Sequence, residues 1–335
     1  MSARRATVLA VLAAGALAQP AAAARVVFTS ASQPISAVAG TAPSGALVAC
    51  GRVVSTGGTT TTLARFGGAT CFASPQSDAD TLVVSAKRVA WLVYGGGNIL
   101  ETTLVAARRP STTASQLAFA TLPDSGGGKD LAGVVAEGGG LLWAIRTIDD
   151  QGAITHTILR RQPQSGPQAN VVTLTGSARV LAAGQERIVI ADGASHARLL
   201  DDDGAVVRDL GAVATRRAAI VGGVVYLLRP GSLDLRSLNG TGSRSIRLVG
   251  TVGARSTLAV RNGVAVYTTA TAVRAVRLSN GRDVLVATGP APGGGTDRGL
   301  VGATIDASGI VYGINDRCSG QHACRGRVLR DPVPF

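Results

Sequence analysis

The chain has 335 residues, 44 of them Gly, with 3% aromatic residues and a formal net charge of +13. Thirty-one of its basic residues are Arg and only two, Lys87 and Lys129, are Lys. The length fits one large all-β unit or two domains, and no long amphipathic helical pattern is present, which excludes a helical bundle. A basic surface favours anionic partners.

The N-terminus reads as a secretory signal. Arg4 and Arg5 form its positive region, residues 7–17 its apolar run, and Ala22-Ala23-Ala24 its small-residue end, so cleavage is expected after Ala24. The apolar run is too short to span a bilayer, and no later segment is long enough to do so. The mature chain, residues 25–335, is expected to be a single exported, monomeric domain. Four Cys suit an oxidising compartment. Cys318 and Cys324 flank a polar loop and are expected to pair, which leaves Cys50 and Cys71 to each other. The spacings match no metal motif, so neither metal nor cofactor is expected.

Val26-Val27-Phe28-Thr29 is a short strand with no hairpin partner nearby, and residues 33–45, with Pro34 and Pro43, read as loop. A repeated unit follows. Each copy has a strand of small residues, a tight turn, and a strongly apolar strand ending in an aromatic or β-branched residue. The small-residue strands are expected at 47–50, 82–86, 131–136, 180–183, 218–221, 258–260 and 302–305. The apolar strands that follow include Arg88-Val89-Ala90-Trp91, Gly140-Leu141-Leu142-Trp143, Gly223-Val224-Val225-Tyr226 and Gly309-Ile310-Val311-Tyr312. Anchored on Val53, Val89, Leu141, Ile188, Val224, Val264 and Ile310, the period averages about 43 residues. Third and fourth strands follow in each unit, separated by hairpin signals such as Asp203-Gly204, Asn239-Gly240 and Asn280-Gly281. A period of 40 to 45 with four short strands per unit predicts a β-propeller, of seven blades or six. The central strands are continuous apolar runs because both of their faces are covered by neighbouring blades. The seventh unit lacks a fourth strand after Leu329, so the orphan strand at Val26 is expected to complete it and close the ring.

Strands of the type Arg-Val-Ala-Trp, Gly-Val-Val-Tyr and Gly-Ile-Val-Tyr resemble those of secreted bacterial β-propellers of the TolB-like or WD-repeat-like kind. The resemblance covers most of residues 46–329 and implies a propeller fold; it does not imply an activity.

Little in the chain points to catalysis. The three His (His156, His196 and His322) sit in different repeats without metal-ligand spacing, and there is no nucleophile elbow. Asp201-Asp202-Asp203-Gly204 is either a solvated hairpin turn or a Ca²⁺ loop, the turn being favoured. Arg108-Arg109, Arg160-Arg161, Arg198, Arg236, Arg277 and Arg327 recur on third strands, as a basic band or simply as the polar face that half-exposed strands need. No aromatic residues interleave with them, so no nucleic-acid partner is expected. The expected role is binding or scaffolding of a protein, an anionic glycan or a small anion through loops on one face. The candidate residues begin the innermost strands, Asp80, Asp130, Arg179, Arg217, Arg255 and Arg298, with Arg229 and Arg317 in loops on the same side. The alternative is a propeller enzyme of lyase or glycoside hydrolase type with carboxylates around the central funnel, for which Asp80 and Asp130 are the available acids.

Overall fold

The structure, a computed structural model, describes residues 24–30, 33–40, 44–48, 52–56, 60–65, 82–95, 99–124, 126–193, 196–211, 217–292, 298–318 and 324–335, with the backbone alone at residue 317. Among the described residues 28 strands form seven four-stranded antiparallel sheets arranged as the blades of a propeller.

The first blade holds β2 (Ile35–Ala39), β3 (Gly45–Val48), β4 (Arg52–Ser55) and β5 (Thr61–Arg65), and the second β6 (Leu82–Val84), β7 (Arg88–Gly95), β8 (Ile99–Arg108) and β9 (Ser115–Pro123). The third holds β10 (Gly128–Glu137), β11 (Gly140–Ile148), β12 (Ile154–Gln162) and β13 (Ala169–Thr175), and the fourth β14 (Ala178–Gly184), β15 (Arg187–Asp192), β16 (His196–Asp201) and β17 (Val206–Gly211). The fifth holds β18 (Arg217–Val221), β19 (Val224–Arg229), β20 (Ser232–Ser237) and β21 (Ser243–Arg247), and the sixth β22 (Leu258–Arg261), β23 (Val264–Thr268), β24 (Ala272–Arg277) and β25 (Arg282–Thr288). The seventh runs β26 (Gly299–Asp306), β27 (Gly309–Cys318), β28 (Cys324–Asp331), and then β1 (Arg25–Ser30), which comes from the other end of the chain.

The expected ring closure is therefore present: Val26 lies opposite Leu329 and Thr29 opposite Arg327. The seven blades and the Cys318–Cys324 disulfide between β27 and β28 also agree with the sequence. The first blade differs. Its innermost strand is Ile35–Ala39, in the stretch read as loop, so residues 47–48 belong to its second strand and the anchor Val53 to its third. The sequence Ser36-Ala37-Val38-Ala39 has small side chains and little alternation, and the flanking Pro residues mask a strand that is nonetheless almost wholly buried. Cys50 and Cys71 lie outside the described residues.

The packing follows from strand geometry. Successive side chains in a strand point to opposite faces, and a blade has a neighbour on each face. Leu141 and Leu142 are adjacent and both 0% exposed; Leu141 joins the cluster with the second blade and Leu142 the cluster with the fourth. Burying such a side chain contributes about 1.5–3 kcal/mol. Among the described residues seven hydrophobic clusters fill the seven junctions.

Arg side chains add a second layer to these junctions. Arg208 on β17 donates to the Ser237 and Leu238 carbonyls of the next blade at 2.9 and 3.2 Å, and Arg244 on β21 to those of Leu278 and Ser279 at 2.7 and 3.1 Å. Arg88 reaches Pro163 and Gln164, and Arg161 reaches the Asp202 carbonyl and carboxylate, in the same sense around the ring. The acceptors all lie in or beside the turn between a neighbour's third and fourth strands. Four Arg side chains thus staple blade to blade.

Candidate functional site

The innermost strands β2, β6, β10, β14, β18, β22 and β26 enclose a central channel of about 310 Å³ lined by residues of all seven blades. Each inner strand enters from the same face, since every blade begins at the axis and steps outward. The lining is small and aliphatic: Val38, Val83, Val135, Leu181, Ile220 and Val260 are representative, with Gly40 and Gly133 where strands crowd. Gly133 has φ +75°, and a Cβ there would stand 2.7 Å from the Val180 carbonyl of the next blade, so only glycine fits.

The lining's polar side chains are Arg217, Thr257 and Thr304. Thr304 donates to the Gly40 carbonyl at 2.6 Å and so ties β26 to β2. Arg217 is the first residue of β18, and Thr257 directly precedes β22, so both mark the end at which the strands enter.

The structure separates the sequence candidates. Arg217 lines the channel. Arg179, on β14, is half-buried immediately before the lining residue Val180. Arg255 and Arg298 are exposed, Arg255 in the turn that leads to β22 and Arg298 directly before β26. Arg229 is committed elsewhere: it is 5% exposed, donates to the Leu210 carbonyl at 2.6 Å and pairs with Asp234, Nε to Oδ2 3.3 Å. Asp130 is held within the sheets, paired with Arg146 on β11 and accepting from Thr102 of the second blade at 3.4 Å. Arg317 is placed on β27 by its backbone. Asp80 lies outside the described residues.

Several of the other sequence features have structural partners. Arg198 pairs with Asp192 at 2.8 Å, Arg236 with Asp234 at 3.6 Å, and Arg327 with Asp316, while the Arg277 guanidinium sits 4.8 Å above the Phe335 ring. Asp201 Oδ1 accepts from the Asp203 and Ala205 amides at 3.2 and 2.8 Å, a turn that closes on its own side chain. The Tyr267 hydroxyl donates to Asp283 at 2.6 Å and that of Tyr312 to Asp331 at 2.8 Å. Burial pushes both hydroxyls well above the ordinary tyrosine range, and the neighbouring carboxylates push the same way.

Sequence reasoning found the Arg residues at the mouth but missed the wall behind them. Its signal was present, since the inner strands read as small and apolar throughout.

No protein-family model matches the chain, and no curated protein matches it by sequence. Among solved structures, it is similar to the computationally designed Ika8 protein (TM-score 0.52, 11% identity, 91% of this chain and 98% of that one). BamB from Moraxella catarrhalis aligns with TM-score 0.48 and 12% identity over 92% and 99% of the two chains, and the C-terminal WD40 domain of Sif2 with TM-score 0.48 and 11% identity over 92% and 99%. At these identities the first likeness bears on the fold alone. The seven-bladed ring is consistent with a binding or scaffolding module. Among the described residues no helix is long and apolar enough to cross a membrane.

Proposed function

We propose that this chain is an exported binding module that takes an anionic ligand at the end of the channel where the inner strands enter. The observation that carries the reading is a cationic arc. Arg217, Arg255 and Arg298 stand at or just before the starts of β18, β22 and β26, which are three consecutive blades. Guanidinium groups gathered at the mouth of an apolar channel focus positive potential, and they form strong charge-assisted hydrogen bonds to carboxylates, sulfates or phosphates. The blades supply a rigid frame for this arc, since charged groups such as Arg161, Arg208 and Arg244 fasten neighbouring blades together.

Export is supported by the signal-like N-terminus and by the disulfide. Cleavage after Ala24 would leave Arg25, the first residue of β1, as the new terminus, so processing would spare the strand that closes the ring.

The test is titration with glucuronate, a phosphorylated sugar and sulfate, using wild type and an Arg255→Ala, Arg298→Ala double variant. Both residues are exposed, so the variant is expected to fold. Binding that weakens with salt and drops about tenfold in the variant supports the reading. Equal binding by both forms would overturn it.

A further inference from the structure

Resting on the anion-binding reading, we propose that the channel is a site for a single anionic amphiphile, with its head group at the Arg217 end and its alkyl chain along the channel wall.

The lining is polarised. Arg217 lies at the entry end, whereas the Thr257 hydroxyl beside it is bonded to Thr268 and the Ala303 amide and that of Thr304 to the Gly40 carbonyl. Toward the other end the lining is Val84, Ala136, Ala183, Val221, Val260 and Ile305, all of them aliphatic. Arg217 is the only charged side chain that lines the channel among the described residues, so a ligand carried inside would meet one cationic end and an apolar remainder.

The wall is also open. In the second blade the inner strand Leu82–Val84 is fully buried, whereas β18 and β22 have no buried residue along their length, and Val221 is 38% exposed. The fifth and sixth blades thus leave part of their aliphatic surface accessible along the channel, next to the arc of Arg residues, while Ala218, Ala219, Ile220, Leu258 and Val260 also pack on the junction cores. Covering such surface is favourable in proportion to the apolar area removed from water.

The dimensions select a narrow ligand. A volume of about 310 Å³ lies at the small end of ligand sites. The five residues of β18 that line it span roughly 16 Å. An extended alkyl chain fits that shape and a bulky ring system does not.

Calorimetric titration of the mature protein with acetate, octanoate, decanoate and dodecanoate below their aggregation concentrations tests the proposal. Decanol and a dodecyl-trimethylammonium salt serve as neutral and cationic controls. Each added methylene should tighten binding about threefold to fourfold. The cationic amphiphile should bind at least tenfold more weakly than dodecanoate. A Val221→Asp variant places a carboxylate in the path of the tail at an exposed position, and it should weaken dodecanoate at least tenfold while leaving the melting temperature and glucuronate binding unchanged. If glucuronate binds with salt sensitivity but dodecanoate binds no tighter than acetate, the channel proposal falls and the anion reading stands. If decanol binds as tightly as decanoate, the head-group assignment falls and the channel proposal with it, while the anion reading is decided separately by the glucuronate titration. Dodecanoate binding that Val221→Asp leaves unchanged would place the ligand outside the channel and overturn the proposal.

Discussion

The junction between the fourth and fifth blades and the one between the seventh and first are built differently. The first joins blades that follow one another in the chain. Its core is aliphatic, with Leu181, Val189, Leu199, Val225 and Leu227 packed together. Its polar ties come from Arg208 at the outside, from Gln185, which accepts from the Gly223 amide at 3.0 Å, and from one buried donor, Arg229, to the Leu210 carbonyl at 2.6 Å. The second joins residues some 280 positions apart and carries more buried polar ties. Asn315, 1% exposed, accepts from the Ile35 amide at 2.8 Å and donates to the Ile35 carbonyl at 2.9 Å. Asp306 accepts from Ser44 at 3.2 Å and from Arg330 at 2.7 Å, and Arg330 continues to the Thr56 carbonyl at 3.2 Å. Backbones come close here too: a Cβ on Gly326 would stand 2.6 Å from Ile35 Cγ1.

The difference has a physical source. A short connection keeps consecutive blades near one another, so non-directional aliphatic packing is enough to join them. The two ends of the ring must find each other over the whole chain, and closing so long a loop costs entropy before any contact forms. Directional hydrogen bonds at the seam fix which residues meet and in what register, since a one-residue slip would turn every side chain to the wrong face.

The largest blow to the seam should come from deleting residues 25–30. This strips β1 from the seventh blade and bares the edge of β28. A loss of several kcal/mol should lower the melting temperature by roughly 5–10 °C. An unchanged melting curve would mean that the seam holds without its last strand. Next comes Asn315→Ala, which leaves both backbone groups of Ile35 without this partner in a buried setting. It should cost roughly 3 kcal/mol in denaturant unfolding. The ordinary junction should respond less. Arg208→Ala gives up hydrogen bonds at the outer surface, and about 1 kcal/mol is expected in the same assay. A result in which Arg208→Ala costs more than Asn315→Ala would reverse the comparison.

The smallest expected effect concerns a feature that seam and ordinary blades share. Tyr312 in the seventh blade and Tyr267 in the sixth both hold their hydroxyl protons above the ordinary value of 10.0. The folded chain retains protons that the unfolded chain releases, so their contribution to stability is complete below about pH 10 and declines as pH rises above it. Melting temperatures measured from pH 9 to 11 should fall, and the fall should be shallower in a Tyr267→Phe, Tyr312→Phe variant. Equal slopes would sever the link to these two residues.

The repeat period, the blade number, the closing strand and the Cys318–Cys324 bond were all legible in the sequence, because long apolar runs and hairpin turns are local signals. The innermost strand at Ile35–Ala39 was not. That strand is five residues long and built mostly of small ones, and two Pro nearby imitate a loop. The mouth was legible only as Arg residues at strand starts. Sequence could not separate Arg217, which lines the channel, from Arg229, which is buried between the Leu210 carbonyl of the preceding blade and Asp234 of its own. The staples were illegible for a simpler reason, since their acceptors are mostly backbone carbonyls and any residue carries one.

That last point bears on how such a chain can change over time. Arg208 and Arg244 grip Ser237, Leu238, Leu278 and Ser279 by main-chain oxygens, and Arg88 grips Pro163 and Gln164 in the same way. The turns that receive these contacts can therefore drift through many residue types and lose little blade-to-blade cohesion, provided the backbone path is kept. A ring fastened in this manner can diverge until its seven units share little more than a rhythm of apolar strands, and the donor side of each fastening carries most of the constraint.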